Sequence, residues 1–204
     1  MVNVSPLPNT EPEPKRGQQW WLIGGLATLS ALCLCVGLVS VGFIGYRVWK
    51  DNQPFPQTGQ DVPLQYAGHV RPGDAHEPYN SDPPTSGAHY AQPAPAGFYR
   101  DAPADEVLVH NLEDGYVIIW YNCQDLTTKA CGQLQADIEI VMDKAGNSPI
   151  TYTPKLTAVP RPAMDTQLAL TTWGWLDKFD TFDEERILNF INAFRDKAPE
   201  PNVP

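Results

Sequence analysis

All four histidines of this 204-residue chain, His69, His76, His89 and His110, lie between positions 69 and 110. Neutral imidazole is the commonest metal ligand among side chains. With Glu77, Glu113 and Asp114 nearby, the segment carries enough nitrogen and oxygen donors for a tetrahedral zinc site or a tetragonal copper site. The candidate ligand set is His69, His76, His89, His110 and Asp114. No pair has diagnostic spacing. H-E-x-x-H is absent, as is the C-x-x-C-H of haem attachment, and histidines in proline-rich loops commonly sit in solvent or bond a nearby carbonyl.

The cysteines divide into two pairs, Cys33 with Cys35 and Cys123 with Cys131. Cys123 falls just past an apolar run and Cys131 within the helical pattern that follows, so a bridge between them closes a short loop at a strand-to-helix corner. Three readings stay open: a disulfide in an oxidising compartment, two separately buried thiols, or a redox dithiol. A C-x-x-C motif sets both sulfurs at a helix N-terminus, where the dipole lowers the thiol pKa; here seven residues intervene. Other constellations are weaker. Ser86 in PPTSGAH lacks the G-x-S-x-G elbow, and no glycine-rich phosphate loop is present. Glu184, Glu185, Asp177, Asp180 and Asp183 read as capping and surface charges, and Trp120, Trp173, Trp175 and Phe179 as core. No catalytic residue is assigned.

These residues must be positioned by a modest set of elements. Glu106 to His110 alternates apolar and polar, and NLEDG at 111–115 reads as a turn. Tyr116 to Tyr121 (YVIIWY) predicts a central strand buried on both faces. Leu126, Ala130, Leu134, Ile138 and Met142 recur every four residues, predicting an amphipathic helix with Asp125 as N-cap and Gly146 as stop. Ile150–Thr153 and Gln167–Trp173 read as strands around a proline-rich loop at 154–163. Thr181 and Glu184 form a capping box before Ile187, Ile191 and Phe194, with Pro199 ending the helix. The expected fold is α+β, a mixed sheet with two helices, and strand, cysteine, helix, two strands and helix echo a thioredoxin-like layout.

Ahead of this domain the chain is uncharged from Trp20 to Tyr46, longer than the about 20 residues a helix needs to cross the hydrocarbon core. Trp20, Trp21, Tyr46 and Trp49 suit the two interfaces, and Lys15, Arg16, Arg47 and Lys50 lie just outside. The run is too long for a cleaved signal peptide and reads as an uncleaved anchor in the lipid bilayer. Leu32 before Cys33 argues against a lipoprotein cysteine. The expected organisation is a disordered tail at 1–19, a transmembrane helix at 20–46, a linker at 47–68 and a domain at 69–204. Two basic residues flank each side, so charge does not fix orientation. From Asp51 onward there are 22 acidic and 10 basic residues. Such a domain is repelled by phosphate backbones, which excludes nucleic acid as a partner.

YNSDPPTSGAHY (79–90), GFY (97–99), VHNLEDG with YVIIWYNC (109–123), and LTTWGW with FDEERILNFINAFRDKAPE (170–200) resemble the bacterial membrane-anchored proteins grouped as domain of unknown function 3105. The likeness runs from about His69 to Glu200. It implies a short N-terminal tail inside the cell, one membrane helix in the plasma membrane and an extracytoplasmic domain; it supplies no function. His69, His89 and His110 match histidines of the family pattern, whereas Asp114 stands where the family usually has a further histidine in HNLEHG. In a metal site Asp114 ligates through oxygen and favours zinc or another harder ion; otherwise the site is degenerate here. The preferred reading is a non-enzymatic accessory or binding protein holding zinc or copper. The alternatives are a membrane-tethered thiol-disulfide oxidoreductase using Cys123 and Cys131, and a structural subunit packing against other membrane proteins through Gly37, Val41 and Gly45.

Overall fold

The computed structural model describes residues 40–48, 55–66 and 68–203. The chain divides into two compact units, Met1–Gln53 and Pro54–Pro204. In the first, a helix (α1) is described over residues 40–48, with Val41, Phe43, Ile44, Tyr46 and Val48 all exposed. Most of the expected Trp20–Tyr46 anchor, and the Cys33 and Cys35 pair, lie outside the described residues. Among those described, no helix is long and apolar enough to cross a membrane.

The second unit is built on a six-stranded mixed sheet. Its elements are β1 (Gln60–Asp61), β2 (Gly97–Phe98), α2 (Asp105–Glu113), β3 (Val117–Tyr121), α3 (Thr128–Ala145), β4 (Leu156–Pro160), β5 (Leu168–Thr172), β6 (Trp175–Phe179) and α4 (Glu184–Phe194), with strand order β1-β6-β5-β3-β4-β2. β4 runs parallel to β3 and β2, whereas β5 is antiparallel to β3 and β6. The apolar run at Tyr116–Tyr121 becomes the central strand, buried at every position. Its side chains alternate as a period of two requires. Val117, Ile119 and Tyr121 meet Leu134, Ile138, Ile187 and Phe190 of α3 and α4, while Ile118 and Trp120 meet Leu108 and Leu112 of α2. Each fully buried large side chain contributes about 1.5–3 kcal/mol. The result is three layers, with α2 alone on the side opposite α3 and α4.

Five local expectations are corrected. Glu106–His110 and the NLE of the expected turn form α2, because Leu108 and Leu112 fall one helical turn apart on the sheet; a run of three apolar residues cannot tell a helix from a strand. Ile150–Thr153 is not a strand: Tyr152 has φ +61°, which extended pairing does not allow. The strand lies instead at Leu156–Pro160, inside the segment read as a proline-rich loop, and Pro160 is tolerated as its last residue. β6 follows β5 through a two-residue turn, Trp173–Gly174, with Gly174 at φ +70°. The caps shift too: Thr127, not Asp125, accepts from the Ala130 amide, and Asp183, not Thr181, accepts from Arg186. Three helices rather than two therefore pack on the sheet. The tryptophans divide as core residues do, Trp120 and Trp173 on the α2 side and Trp175 with Phe179 on the other.

Cys123 and Cys131 are bridged, with Cα atoms 5.4 Å apart, between the end of β3 and the first turn of α3. Closing so short a loop restricts the unfolded chain by about 2–3 kcal/mol. A Cys123→Ser, Cys131→Ser double variant should lose that much stability in a urea unfolding experiment; an unchanged midpoint contradicts it.

Candidate metal centre

Three of the four histidines converge. His69, His89 and His110 offer ring nitrogens that all lie within 4.8 Å of one another, with ring centroids 4.9, 5.2 and 5.4 Å apart. Imidazoles on one zinc at about 2.1 Å have nitrogens about 3.4 Å apart, so an ion draws the donors inward by about 1 Å. His69, exposed where the other two are buried, can supply that movement.

Each buried ring is aimed by a backbone carbonyl. His89 Nδ1 lies 2.9 Å from the Gly87 oxygen, and His110 Nδ1 lies 2.6 Å from the Tyr90 oxygen. A carbonyl only accepts, so Nδ1 carries the hydrogen in both rings, and in the neutral imidazole Nε2 then holds the lone pair. This is the outer arrangement that metal-ligating histidines commonly have. His89 Nε2 is 2.8 Å from Glu113 Oε2, yet its geometry makes no hydrogen bond, and it is buried without a partner. His110 Nε2 is 3.6 Å from Asp114 Oδ2, and both Asp114 carboxylate oxygens are also buried and unbonded. Buried polar atoms rarely go unpaired. The three-histidine group could hold a metal ion.

Burial pushes the Asp114 carboxyl above its ordinary range; His110 opposes that rise, Glu200 and Glu113 reinforce it, and Lys155 opposes it. A bound cation favours the ionised form.

The local sequence explains this placement. His110, Glu113 and Asp114 stand at i, i+3 and i+4 along α2 and its C-cap, one face of a helix. Between them Asn111 clamps the proline-rich segment, accepting from the Ala94 amide at 3.0 Å and donating to the Ala94 oxygen at 2.8 Å. Leu112 enters the core, and Gly115 turns at φ +89° with the Asp196 Cα 3.0 Å from where a Cβ would stand. His69 and His89 face each other across an isolated parallel bridge. The second strand of that bridge is positioned by Tyr79, whose hydroxyl donates to the Ala88 oxygen at 2.6 Å. Gly87, at φ +127°, leaves room for the Tyr79 ring, which a Cβ would meet at 2.9 Å.

Of the residues predicted as ligands, His69, His89 and His110 come together with Asp114 beside them. His76 does not join them. Its Nδ1 bonds the Glu77 oxygen at 2.8 Å and its Nε2 the Glu106 carboxylate at 3.2 Å. Glu113, outside the expected ligand set, approaches His89 more closely than Asp114 approaches His110; its signal is its position one helical turn after His110, which an expected strand and turn conceal. Ser86 is fully buried and its hydroxyl accepts from the Gln65 amide, so it is structural.

The Glu106 carboxylate, then the Glu77 carbonyl, raise the His76 pKa above its ordinary value. A histidine whose folded pKa is raised contributes stability in full below its unfolded pKa and loses it as pH rises through the folded one. His76→Ala should therefore cost more stability at about pH 5 than at about pH 9, read from urea midpoints; an equal cost at both contradicts the pairing.

Residues 69–204 match the family model described as Protein of unknown function (DUF3105). No curated protein and no solved structure matches the chain.

Proposed function

We propose that this chain, which belongs to the DUF3105 family of unknown function, is a membrane-anchored extracytoplasmic protein that binds one transition-metal ion through His69, His89 and His110. The observation carrying the reading is the pair of buried imidazoles, each held by a carbonyl at Nδ1 with Nε2 beside a carboxylate, in a group of three histidines whose ligand nitrogens lie within 4.8 Å of one another. Glu113 and Asp114 are the neighbouring counter-charges, beside His89 and His110 respectively. Three imidazoles favour zinc, and copper is the runner-up. Equilibrium dialysis of the chelator-stripped full chain in detergent should recover about one zinc per chain; no uptake of zinc or copper overturns the proposal.

The anchor and location rest on the uncharged Trp20–Tyr46 run and on the disulfide, which persists in oxidising compartments. The apolar residues exposed all around α1 support a lipid setting.

A second reading is favoured by topology. Within the sheet, β3, α3, β4, β5, β6 and α4 follow the strand-helix-strand, strand-strand-helix course of a thioredoxin-like layout, with Cys123 just after the central strand. Against a redox role, the two cysteines do not share the N-terminal turn of α3: Cys131 lies in it, and Cys123 stands eight residues earlier, ahead of the helix. Trapping with a thiol substrate decides it: a mixed disulfide supports exchange, and an inert bridge leaves Cys123–Cys131 as a brace.

A further inference from the structure

One wall of the metal centre opens on a cavity of about 670 Å³, bounded by Gln65, Tyr66, Gly68, His69, His76 and Ala88. That volume lies within the range of about 300–1,000 Å³ that small-molecule sites occupy. His69 belongs to both features: it is the exposed member of the imidazole trio and part of the cavity lining. His89 and Glu113 stand behind it, with side chains only 1% and 14% exposed.

We propose that this cavity admits a small ligand with one nitrogen or oxygen donor to an open coordination position on the bound ion. The inference rests on the metal reading above. Structural zinc sites are closed by four protein ligands, whereas sites that act on small molecules keep a position for water or substrate. Here the buried side of the ion is taken by fixed protein donors, and the side toward His69 faces the cavity.

Charge narrows the ligand class. Glu77 lines the cavity, and Glu106, Glu113 and Asp114 surround the site, so multiply charged anions such as phosphates are repelled. A neutral donor or a monoanion enters. His76 forms wall rather than ligand, since both its ring nitrogens are already bonded.

Co²⁺ loaded into the full chain in detergent reports coordination through its visible absorption, and azide is a suitable monoanionic probe. Azide should shift the wild-type bands saturably. Ala75→Trp, at an exposed residue lining the cavity, should retain Co²⁺ yet bind azide about tenfold or more weakly. Phosphate at the same concentration should leave the bands unmoved. A Co²⁺ spectrum that ignores azide, or an Ala75→Trp response equal to wild type, overturns the open position while leaving the metal site intact. Failure of the wild type to load Co²⁺ overturns the metal reading and this inference together.

Discussion

A His89→Ala, His110→Ala double variant should lose bound metal, from about one ion per chain to nearly none, while His76→Ala keeps its metal in full. Both replaced rings are buried and held at Nδ1 by carbonyls, so their Nε2 atoms are pre-aimed donors. Their removal leaves only exposed His69 and the carboxylates. His76, although it lies between His69 and His89 in sequence, spends both nitrogens on Glu77 and Glu106. Metal content by mass spectrometry, with far-UV circular dichroism on each variant, checks the pair of outcomes. Equal metal in wild type and double variant, or loss in His76→Ala with the fold retained, contradicts the assignment.

Lys155→Met should destabilise the domain by about 3–5 kcal/mol, the usual consequence of removing one partner of a buried ionic group. Lys155 is fully buried and donates to the Asp114 and Pro201 carbonyls at 2.7 Å each, with the Asp196 carboxylate 3.5 Å away. Methionine keeps the bulk and removes the ammonium. The Asp114 carbonyl at the end of α2 is then buried without a donor, and Asp196 keeps only Ser148 as a side-chain partner. The C-terminal segment also leans on this corner, since Asp196 donates to the Gly115 oxygen and Glu200 to the Glu113 oxygen. Chemical unfolding of both proteins measures the difference; a change under about 1 kcal/mol means that the buried lysine is dispensable.

Much of this corner was visible in the sequence, though not its geometry. The YVIIWY run announced the central strand because a strand buried on both faces needs unbroken apolar residues, and Ile187, Ile191 and Phe194 announced α4 by their spacing. The α2 helix was missed for a physical reason: Val107, Leu108 and Val109 are too few to show a period, and what makes the helix is the tertiary packing of Leu108 and Leu112 against Ile118 and Trp120. That one misreading hid Glu113, since the shared face of His110, Glu113 and Asp114 exists only on a helix. Lys155 was equally hidden, because nothing local marks a lysine whose acceptors come from positions 114 and 201. The histidines were legible as a cluster in sequence, but which three converge depends on the Tyr79, Gly87 and Asn111 contacts that fold the proline-rich segment onto α2.

X-ray absorption at the metal edge of the zinc-loaded full chain tests the central claim most directly. The predicted signature is three imidazole nitrogens with oxygen, all at about 2.0–2.2 Å. A sulfur shell at about 2.3 Å, an all-oxygen shell, or no retained zinc would contradict it.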